Sequence, residues 1–335
     1  MSQVNIKIAD SASIQEAAEL LRSSNLVCFP TETVYGLGAN ALDRQAVAKI
    51  FEAKGRPRSN PLIVHIANIE QLAALSDYQN YPLVVQRLKA LESFWPGPIS
   101  LLLPKSQQVS NLVTAGSELV AVRIPNNQIA LELIETCGFP LAAPSANRYT
   151  EVSPTTAQHC SDGLGDRVSL ILDGGACSGG IESTVVNISS ETVTIMRPGL
   201  ITKEQLEAQL QEPVIIFTES VSKDRTQISP GMSRKHYSPR TKLQLLSDYQ
   251  AQTSDQNIGV ILFSLEQMPS TTALNPKKIA LLSPTGDLAE VATNLFSALR
   301  ELDLAELDLI LIDSCAEIGL GTAIMDRIKR AITKE

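Results

Sequence analysis

The chain has 335 residues, of which 44% are hydrophobic and 19% are charged. This length predicts about two domains, and this balance predicts a folded globular protein, since disordered chains carry fewer apolar residues. The 28 Lys and Arg against 36 Asp and Glu give a formal net charge of −8. Such a charge excludes a protein that coats nucleic acid through its overall charge, although a local basic patch stays compatible with it.

The sequence carries no sign of a membrane span, a secretion signal or a metal site. No apolar run approaches the roughly 18 residues of a membrane span, and the N-terminus lacks the apolar core of a signal peptide. The five cysteines are scattered without a C-x-x-C pair, and the three histidines lie far apart. We therefore expect a cytoplasmic protein with reduced thiols, no membrane partner and no protein-bound metal.

The first part of the chain alternates short apolar strands with helices. The capping pattern Ser13-Ile-Gln-Glu16 predicts a helix from Ser13 to Arg22, and the apolar spacing from Val47 to Lys54 predicts a second helix. Strands are predicted over 26–29, 62–66, 99–103, 119–124, 141–143, 169–172, 184–188 and 192–196. In two of them, alternation places His65 and Arg123 opposite the apolar face. This pattern predicts a mixed sheet in a first domain of residues 1–212.

The composition changes after this domain and then the apolar pattern restarts. Residues 213–242 form a basic linker with Pro-Gly and Pro breakers. Residues 243–335 form a second domain, with strands predicted over 243–246, 258–263, 278–282 and 307–312 and helices over 288–302 and 322–332. Near-continuous apolar strands that alternate with helices predict a small parallel, Rossmann-like sheet.

Two polar segments in the first half are candidate binding loops. After the strand that ends at Phe29, the residues from Pro30 to Gly38 form a glycine-containing loop with several hydroxyl groups. They fit either a ligand or an ordinary turn. The cations Lys54 and Arg56, followed by Asn60 on a proline-pinned loop, fit either a phosphate chain or a solvated helix end.

Two further polar segments follow. Ala143-Pro-Ser-Ala-Asn147, with Ser153 shortly after it, offers neutral hydrogen bonds to a ligand, but helix caps and turns use the same residues. A glycine-rich stretch from Asp173 leads to Glu-Ser-Thr184 and then to Arg197-Pro-Gly199. Arg197 fits either a phosphate clamp or a surface ion pair.

Together these segments resemble one family, the YrdC-like proteins. The motifs occur here in the family's order: Pro-Thr-Glu-Thr-Val-Tyr-Gly-Leu-Gly, Lys-Gly-Arg-Pro with Asn-Pro-Leu, Val-Arg-Ile-Pro, Pro-Ser-Ala-Asn, Glu-Ser-Thr-Val-Val and Arg-Pro-Gly. The linker Ser229-Pro-Gly-Met-Ser-Arg-Lys-His-Tyr-Ser-Pro239 resembles that of the longer members, the L-threonylcarbamoyladenylate synthases. The resemblance spans essentially the whole chain. It implies a YrdC-like twisted mixed sheet with flanking helices and a small Rossmann-like parallel α/β domain after it.

The resemblance also implies an activity. The family's nucleotidyltransferases join L-threonine, bicarbonate and ATP into L-threonylcarbamoyl-AMP and release pyrophosphate, for threonylcarbamoyladenosine modification of tRNA next to the anticodon. Mg²⁺ is expected to arrive with ATP. Contacts with tRNA and a transient contact with the tRNA threonylcarbamoyl transferase complex are expected as well.

Carried over residue by residue, the resemblance implies two sides of one site, with Lys54 and Arg56 as the catalytic cations. The ATP side is expected to contain Lys54, Arg56, Asn60, Ser145, Ser153, Arg197 and Tyr237. The threonine side is expected to contain Thr33, His65, Arg123, Ala143 and Ser183. The linker is expected to lie over the nucleotide as a lid and keep water from the mixed anhydride.

Two other classes of protein remain as alternatives. A concave groove in a YrdC-like domain could hold RNA, as in a ribosome-maturation module without catalysis. The Rossmann-like pattern of the second domain could belong to a nicotinamide-dependent oxidoreductase. Against the latter, Gly319-Leu-Gly321 lacks the third glycine of the dinucleotide motif and follows the last strand instead of the first.

Overall fold

Short apolar stretches of the chain form the strands of two separate sheets. The computed structural model describes residues 5–218, 236–250, 256–268 and 274–333. The strands are β1 (Ile6–Ile8), β2 (Val27–Phe29), β3 (Gly36–Asn40), β4 (Ile63–His65), β5 (Ile99–Pro104), β6 (Leu119–Arg123), β7 (Leu141–Ala142), β8 (Leu170–Asp173), β9 (Thr184–Asn187), β10 (Val193–Arg197), β11 (Val214–Ile216), β12 (Lys242–Leu245), β13 (Ile258–Leu262), β14 (Lys278–Leu281) and β15 (Leu309–Ile312).

Helices cover both sheets. They are α1 (Ser11–Arg22), α2 (Arg44–Lys54), α3 (Leu72–Leu75), α4 (Pro82–Leu91), α5 (Asn111–Thr114), α6 (Gln128–Cys137), α7 (Ala157–Leu164), α8 (Lys203–Leu210), α9 (Leu288–Asp303) and α10 (Leu320–Ile332). Short 3₁₀ turns lie at Ile69–Gln71, Tyr78–Asn80, Glu92–Phe94, Gly165–Arg167, Leu246–Asp248 and Leu265–Gln267. No helix in these described ranges is long and apolar enough to cross a membrane.

The first helix begins earlier than the capping pattern predicted. Asp10 is the N-cap residue, and its carboxylate accepts a hydrogen bond from the Ser13 backbone N–H at 2.8 Å. The Ser13 hydroxyl accepts from the Asp10 N–H at 2.9 Å. Ser13 is therefore the third helical residue of the capping box and not its first member, because the aspartate offers the stronger, charged acceptor.

The large sheet is mixed, as the sequence predicted. Its strand order is β1-β8-β2-β3-β7-β4-β6-β5-β9-β10-β11 in the described part of the chain. The pairs β1–β8, β2–β8, β4–β6, β5–β9 and β10–β11 are parallel, and the others are antiparallel. Since β11 at Val214–Ile216 pairs with β10, this sheet runs past residue 212.

The segment from Gly36 to Asn40 is a strand, whereas we expected the glycines at 36 and 38 to lie in a loop. β3 runs antiparallel to β2, with Gly38 opposite Val27. A Cβ atom on Gly38 would lie 2.8 Å from the Phe29 ring. The glycine therefore permits close packing of an aromatic side chain inside the sheet, and the loop is limited to residues 30–35.

The alternation within β4 and β6 is as predicted. Val64 and Val122 pack into the main hydrophobic core, and so do the neighbouring Ile66 and Ile124. The two strands are parallel neighbours, and His65 lies directly opposite Arg123 in the register. Because successive side chains of a strand point to opposite faces, these two polar groups share the face away from that core.

The second sheet is fully parallel, in the order β12-β15-β13-β14, which confirms the Rossmann-like prediction. Its helices α9 and α10 pack in one apolar cluster with Val34, Val152 and Ile181 of the first unit. The expected linker lies largely outside the described residues, since 219–235 are not described. Of its described residues, His236 and Tyr237 are buried, whereas Arg240 is exposed.

Candidate active site

A pocket opens on the polar face of β4 and β6, and its enclosed volume is about 40 Å³. The lining includes most of the residues that the sequence suggested: Thr33, Arg56, His65, Arg123, Ala143, Ser145, Ser183, Arg197 and Tyr237. The other lining residues are Thr31, Val34, Gly36, Ile63, Pro144, Glu182 and His236. Segments distant in sequence thus converge on one buried volume.

Arg123 is held from several sides at the end of β6. Its Nη1 donates to the Thr33 hydroxyl at 2.9 Å, and its Nε donates to the Gly97 carbonyl at 3.2 Å. Its Nη2 lies 2.7 Å from a carboxylate oxygen of Glu32, without the alignment of a hydrogen bond. The guanidinium is therefore fixed in orientation, with its charge balanced by the Glu32 carboxylate.

His65 is buried beside Arg123 and faces the edge of the Phe29 ring, with ring centroids 6.1 Å apart. Burial and the nearby Arg123 charge lower the pKa of His65 to about 3. The imidazole is therefore neutral at physiological pH. A neutral imidazole can donate and accept hydrogen bonds without adding a charge to the pocket.

Arg56 and Arg197 supply the other guanidinium groups. Arg56 donates through Nη2 to the Asn60 side-chain oxygen at 2.5 Å and to the Pro61 carbonyl at 2.8 Å. Arg197 donates through Nη2 to the Ser183 carbonyl at 2.9 Å and to its hydroxyl at 3.1 Å. Burial lowers the pKa of Arg56 only to about 10, so its charge persists at neutral pH.

The turn after Arg197 requires a glycine. A Cβ atom on Gly199 would lie 2.3 Å from the Thr184 backbone nitrogen and 2.6 Å from the Glu182 carbonyl oxygen. The Arg-Pro-Gly turn therefore packs directly on the backbone of residues 182–184. This contact fixes Arg197 relative to Ser183.

Three of the expected site residues do not line the pocket. Asn60 and Ser153 support lining residues, since Asn60 accepts from Arg56 and Ser153 donates to Glu182 at 2.5 Å. Lys54 is buried at the end of α2, and its Nζ donates to the carbonyls of Ser145, at 2.6 Å, and Asn147. Burial and the Arg56 charge lower the pKa of Lys54 well below its ordinary value.

The C-terminal side of the pocket is formed by His236 and Tyr237. The Tyr237 ring stacks on Phe296 of α9, with centroids 5.4 Å apart, and lies 4.0 Å from the His236 ring. Tyr237 has a φ of 62°, a left-handed conformation that costs energy for a bulky residue. Its ring is held in this position by packing from both units.

Sequence reasoning missed two carboxylates, Glu32 and Glu182, although both lie inside motifs that it quoted. The motifs pointed to anion binding through their cations and hydroxyl groups, and a carboxylate does not fit that chemistry. Glu182 nonetheless lines the pocket. The signal that could have found it is a charged residue next to paired glycines and a buried strand, which needs a partner.

Buried polar atoms without a hydrogen-bond partner among the described residues concentrate here. They include His65 Nδ1, His236 Nδ1 and the Tyr237 hydroxyl, all on pocket-lining residues, and Asn60 Nδ2 next to Arg56. Buried polar groups are rarely left unpaired, and exceptions occur at binding sites. The pocket therefore offers hydrogen bonds to a polar ligand. The described ranges contain no cluster of three His, Cys, Asp or Glu that could hold a metal ion.

The buried His65 makes stability depend on pH. Its pKa is about 3 in the folded protein and 6.5 ordinarily, so unfolding takes up a proton between these values. The stability that the neutral His65 contributes is fully present above about pH 6.5 and is lost as the pH falls below that value. We expect the protonation of His65 on unfolding to lower the free energy of unfolding by about 2 kcal/mol when the pH falls from about 7 to about 5. Urea denaturation at the two pH values measures this change.

The variant His65→Gln is the matched control for this effect. Burial also lowers the pKa of His236 to about 3 and the pKa of His159 to about 4, so both histidines act in the same direction. The wild type is therefore expected to lose more unfolding free energy than His65 alone contributes. The variant should lose about 2 kcal/mol less than the wild type over the same range. Equal losses in both proteins would show that His65 is not buried as a neutral group.

Comparisons with known proteins agree with this architecture. Residues 19–199 match the family model of Sua5, YciO and YrdC proteins, described as telomere recombination. Residues 201–332 match a model described as threonylcarbamoyl-AMP synthase, C-terminal domain. The threonylcarbamoyl-AMP synthases of Pyrococcus abyssi and Bacillus subtilis are 39% and 41% identical to this chain. Each comparison covers 95% of this chain, and 93% and 92% of those proteins.

A solved structure is similar over almost its full length. The crystal structure of P. abyssi Sua5 complexed with L-threonine superposes with a TM-score of 0.82 and is 36% identical, covering 98% of this chain and 96% of that one. A mixed sheet with a buried polar pocket, followed by a parallel-sheet unit that packs against it, thus defines an enzyme of the two-domain Sua5 type. Within this class, the chain belongs to the threonylcarbamoyl-AMP synthase family.

Proposed function

We propose that this chain is a nucleotidyltransferase that makes L-threonylcarbamoyl-AMP from L-threonine, bicarbonate and ATP. The observation that carries the proposal is the convergence of Arg56, Arg123 and Arg197 on one buried pocket of a protein whose net charge is −8. All three substrates carry anionic groups, and buried guanidinium groups bind carboxylates and phosphates through paired hydrogen bonds.

The threonine side of the proposal rests on Arg123. Its fork would bind the amino-acid carboxylate, while the Thr33 hydroxyl, already paired with Arg123, and the neutral His65 would bind the polar side chain. Ala143 and Ser183 line the same volume and would lie beside the threonine side chain. This arrangement suits a small hydroxy amino acid.

The ATP side of the proposal rests on Arg56 and Arg197, which would stabilise the charge that grows on the departing pyrophosphate. Ser145 and Tyr237 line the same volume. We assign Lys54 a positioning role, because its Nζ is occupied by the carbonyls of Ser145 and Asn147. Asn60 and Ser153 act in the same way through Arg56 and Glu182.

The reaction balances without a protein nucleophile. Bicarbonate loses hydroxide to give carbon dioxide, the threonine amine attacks that carbon, and the amine proton and the hydroxide combine to water. An oxygen of the resulting carbamate then attacks the α-phosphorus of ATP, and the bond to the pyrophosphate oxygen breaks. Mg²⁺ enters as part of the nucleotide substrate, and the protein contributes position and charge to the transfer.

The proposal extends to the organisation of the chain and to its partners. The predicted first domain, extended by β11 to Ile216, would be the catalytic domain, and the second domain would begin with β12 at Lys242. His236 and Tyr237 of the linker would close one side of the pocket. The product would be a labile anhydride that is used to modify tRNA. We therefore also propose contacts with tRNA and a transient contact with the tRNA threonylcarbamoyl transferase complex. The RNA-binding and oxidoreductase alternatives are not favoured, since the curated relatives are named as synthases.

The test is an incubation with ATP, isotope-labelled bicarbonate and single amino acids. We expect a labelled adenylate with threonine and an equal amount of pyrophosphate. With valine, the isosteric amino acid without the hydroxyl group, we expect at least about 100-fold less, since a site built for a hydroxyl rejects its absence strongly. RNA binding without any labelled adenylate would contradict the proposal and favour the non-catalytic alternative.

A further inference from the structure

The largest fully buried side chain among the described residues belongs to Arg327, on helix α10 of the second unit. It lies on the buried face of that helix. Ile324 and Ile328, on the same face, belong to the hydrophobic cluster between the two units. Its side chain is 0% exposed. A guanidinium in such surroundings loses its hydration and is stable only with charged and hydrogen-bonded partners.

Arg327 donates through Nη1 to Asp326 on its own helix at 2.6 Å, and its other partners lie next to the proposed binding residues of the first unit. Its Nε pairs with Glu182 at 2.7 Å, and its Nη2 donates to the Pro198 carbonyl at 2.9 Å. Glu182 precedes Ser183, and Pro198 follows Arg197. Arg327 also lies over the Tyr237 ring, 5.2 Å from its centroid. One side chain of the second unit therefore contacts three segments that line the pocket.

Glu182 explains why the pocket needs this cation. Burial alone would raise the pKa of Glu182, but Arg327, Arg197 and the Ser153 hydroxyl together lower it to about 2. A lining residue of the pocket is thus a full negative charge. An uncompensated carboxylate in a buried site repels a triphosphate strongly, because the local dielectric is low.

We propose that Arg327 is a positioning residue for ATP binding: it neutralises Glu182 and fixes the Arg197-Pro198 turn from the second domain. This inference rests on the proposed function, since it assumes that the triphosphate lies beside Arg197. It gives the second domain an indirect part in ATP binding besides its packing. Arg327 itself does not line the pocket in the described part of the chain, so its effect passes through Glu182 and the turn.

The decisive experiment compares Arg327→Met with the double variant Arg327→Met/Glu182→Gln. Because the single variant removes the direct ion-pair partner of Glu182 and leaves only Arg197 and the Ser153 hydroxyl to stabilise the carboxylate, we expect the KM for ATP to rise at least about tenfold. The second change removes that charge, so the KM for ATP should return to within about threefold of the wild type. Lys329→Met, which removes an exposed cation from the same helix, should leave the KM for ATP unchanged.

Two results would overturn the proposal. One is a folded Arg327→Met variant with the wild-type KM for ATP. The other is a double variant as impaired as the single one, which would mean that Arg327 only holds the fold together. Thermal unfolding of each variant is measured alongside. A wild type that makes no threonylcarbamoyl-AMP in the same assay would instead contradict the proposed function.

If Arg327→Met is too unstable to assay, Arg327→Lys is assayed in its place. It keeps the charge but cannot reach Glu182 and the Pro198 carbonyl together. We expect its KM for ATP to stay within about threefold of the wild type, while kcat falls because the turn is less well held. A tenfold higher KM for ATP in the folded Arg327→Lys protein would contradict the electrostatic part of the proposal.

Discussion

Replacing Arg56 by alanine is expected to lower threonine- and bicarbonate-dependent pyrophosphate release by at least about 100-fold, because removing one preorganised donor from a developing charge costs about that much in kcat. Arg56 lines the pocket, and its guanidinium is held by Asn60 and Pro61. The loss should appear mainly in kcat, since the charge on the leaving pyrophosphate grows in the transition state. Steady-state kinetics with a pyrophosphate-coupled assay measure it.

Arg58→Ala is the matched control for this variant. Arg58 lies two residues further along and is exposed, so its removal changes the net charge equally but leaves the pocket intact. Its kinetic constants should equal those of the wild type. Wild-type pyrophosphate release in a folded Arg56→Ala protein would remove Arg56 from the site, and circular dichroism and thermal unfolding establish that the variant is folded.

Replacing Arg123 by lysine is expected to raise the KM for L-threonine by about 10- to 100-fold, because lysine keeps the charge but not the planar fork that binds a carboxylate. The contacts with Thr33, Glu32 and Gly97 show that the guanidinium orientation is specified from three directions. The KM for ATP should change by less than about threefold, since Arg123 lies on the amino-acid side. Both constants come from initial rates of pyrophosphate release.

Arg87→Lys separates this effect from a general loss of stability. Arg87 is also buried and pairs through both Nε and Nη2 with Glu212, at 2.8 Å each, but it does not line the pocket. Its replacement should lower the thermal stability and leave the KM for L-threonine unchanged. If Arg123→Lys behaves in the same way as Arg87→Lys, Arg123 is a structural residue and the threonine site lies elsewhere.

Much of the candidate site could be predicted because its residues lie in compact motifs. Nine of the expected residues line one pocket, among them His65 and Arg123, whose direction followed from strand alternation. The expectation was less accurate for Lys54, which contacts backbone carbonyls more than ninety residues away in sequence. A motif indicates which residue types occur together. It does not indicate whether a given side chain contacts the ligand or contacts the loop that binds the ligand.

Glycines and caps illustrate the same limit within single elements. The pair of glycines at 36 and 38 indicated a loop, yet they lie in β3 because the Phe29 ring packs against Gly38. The pattern at Ser13 indicated a helix start, yet Asp10 caps the helix. In both cases a neighbouring side chain selected between two local structures that the short pattern permits equally.

By itself the sequence determined twelve of the strands, the helices at both ends of the chain and the second helix, and the face on which His65 and Arg123 lie, because neighbours two to four residues apart fix these properties. Only the tertiary structure decided which charges meet. Glu182 and Arg327 are separated by 145 positions, and their pairing depends on how two units pack and exclude water between them. Burial makes such a pair consequential, and burial is a property of the folded chain as a whole.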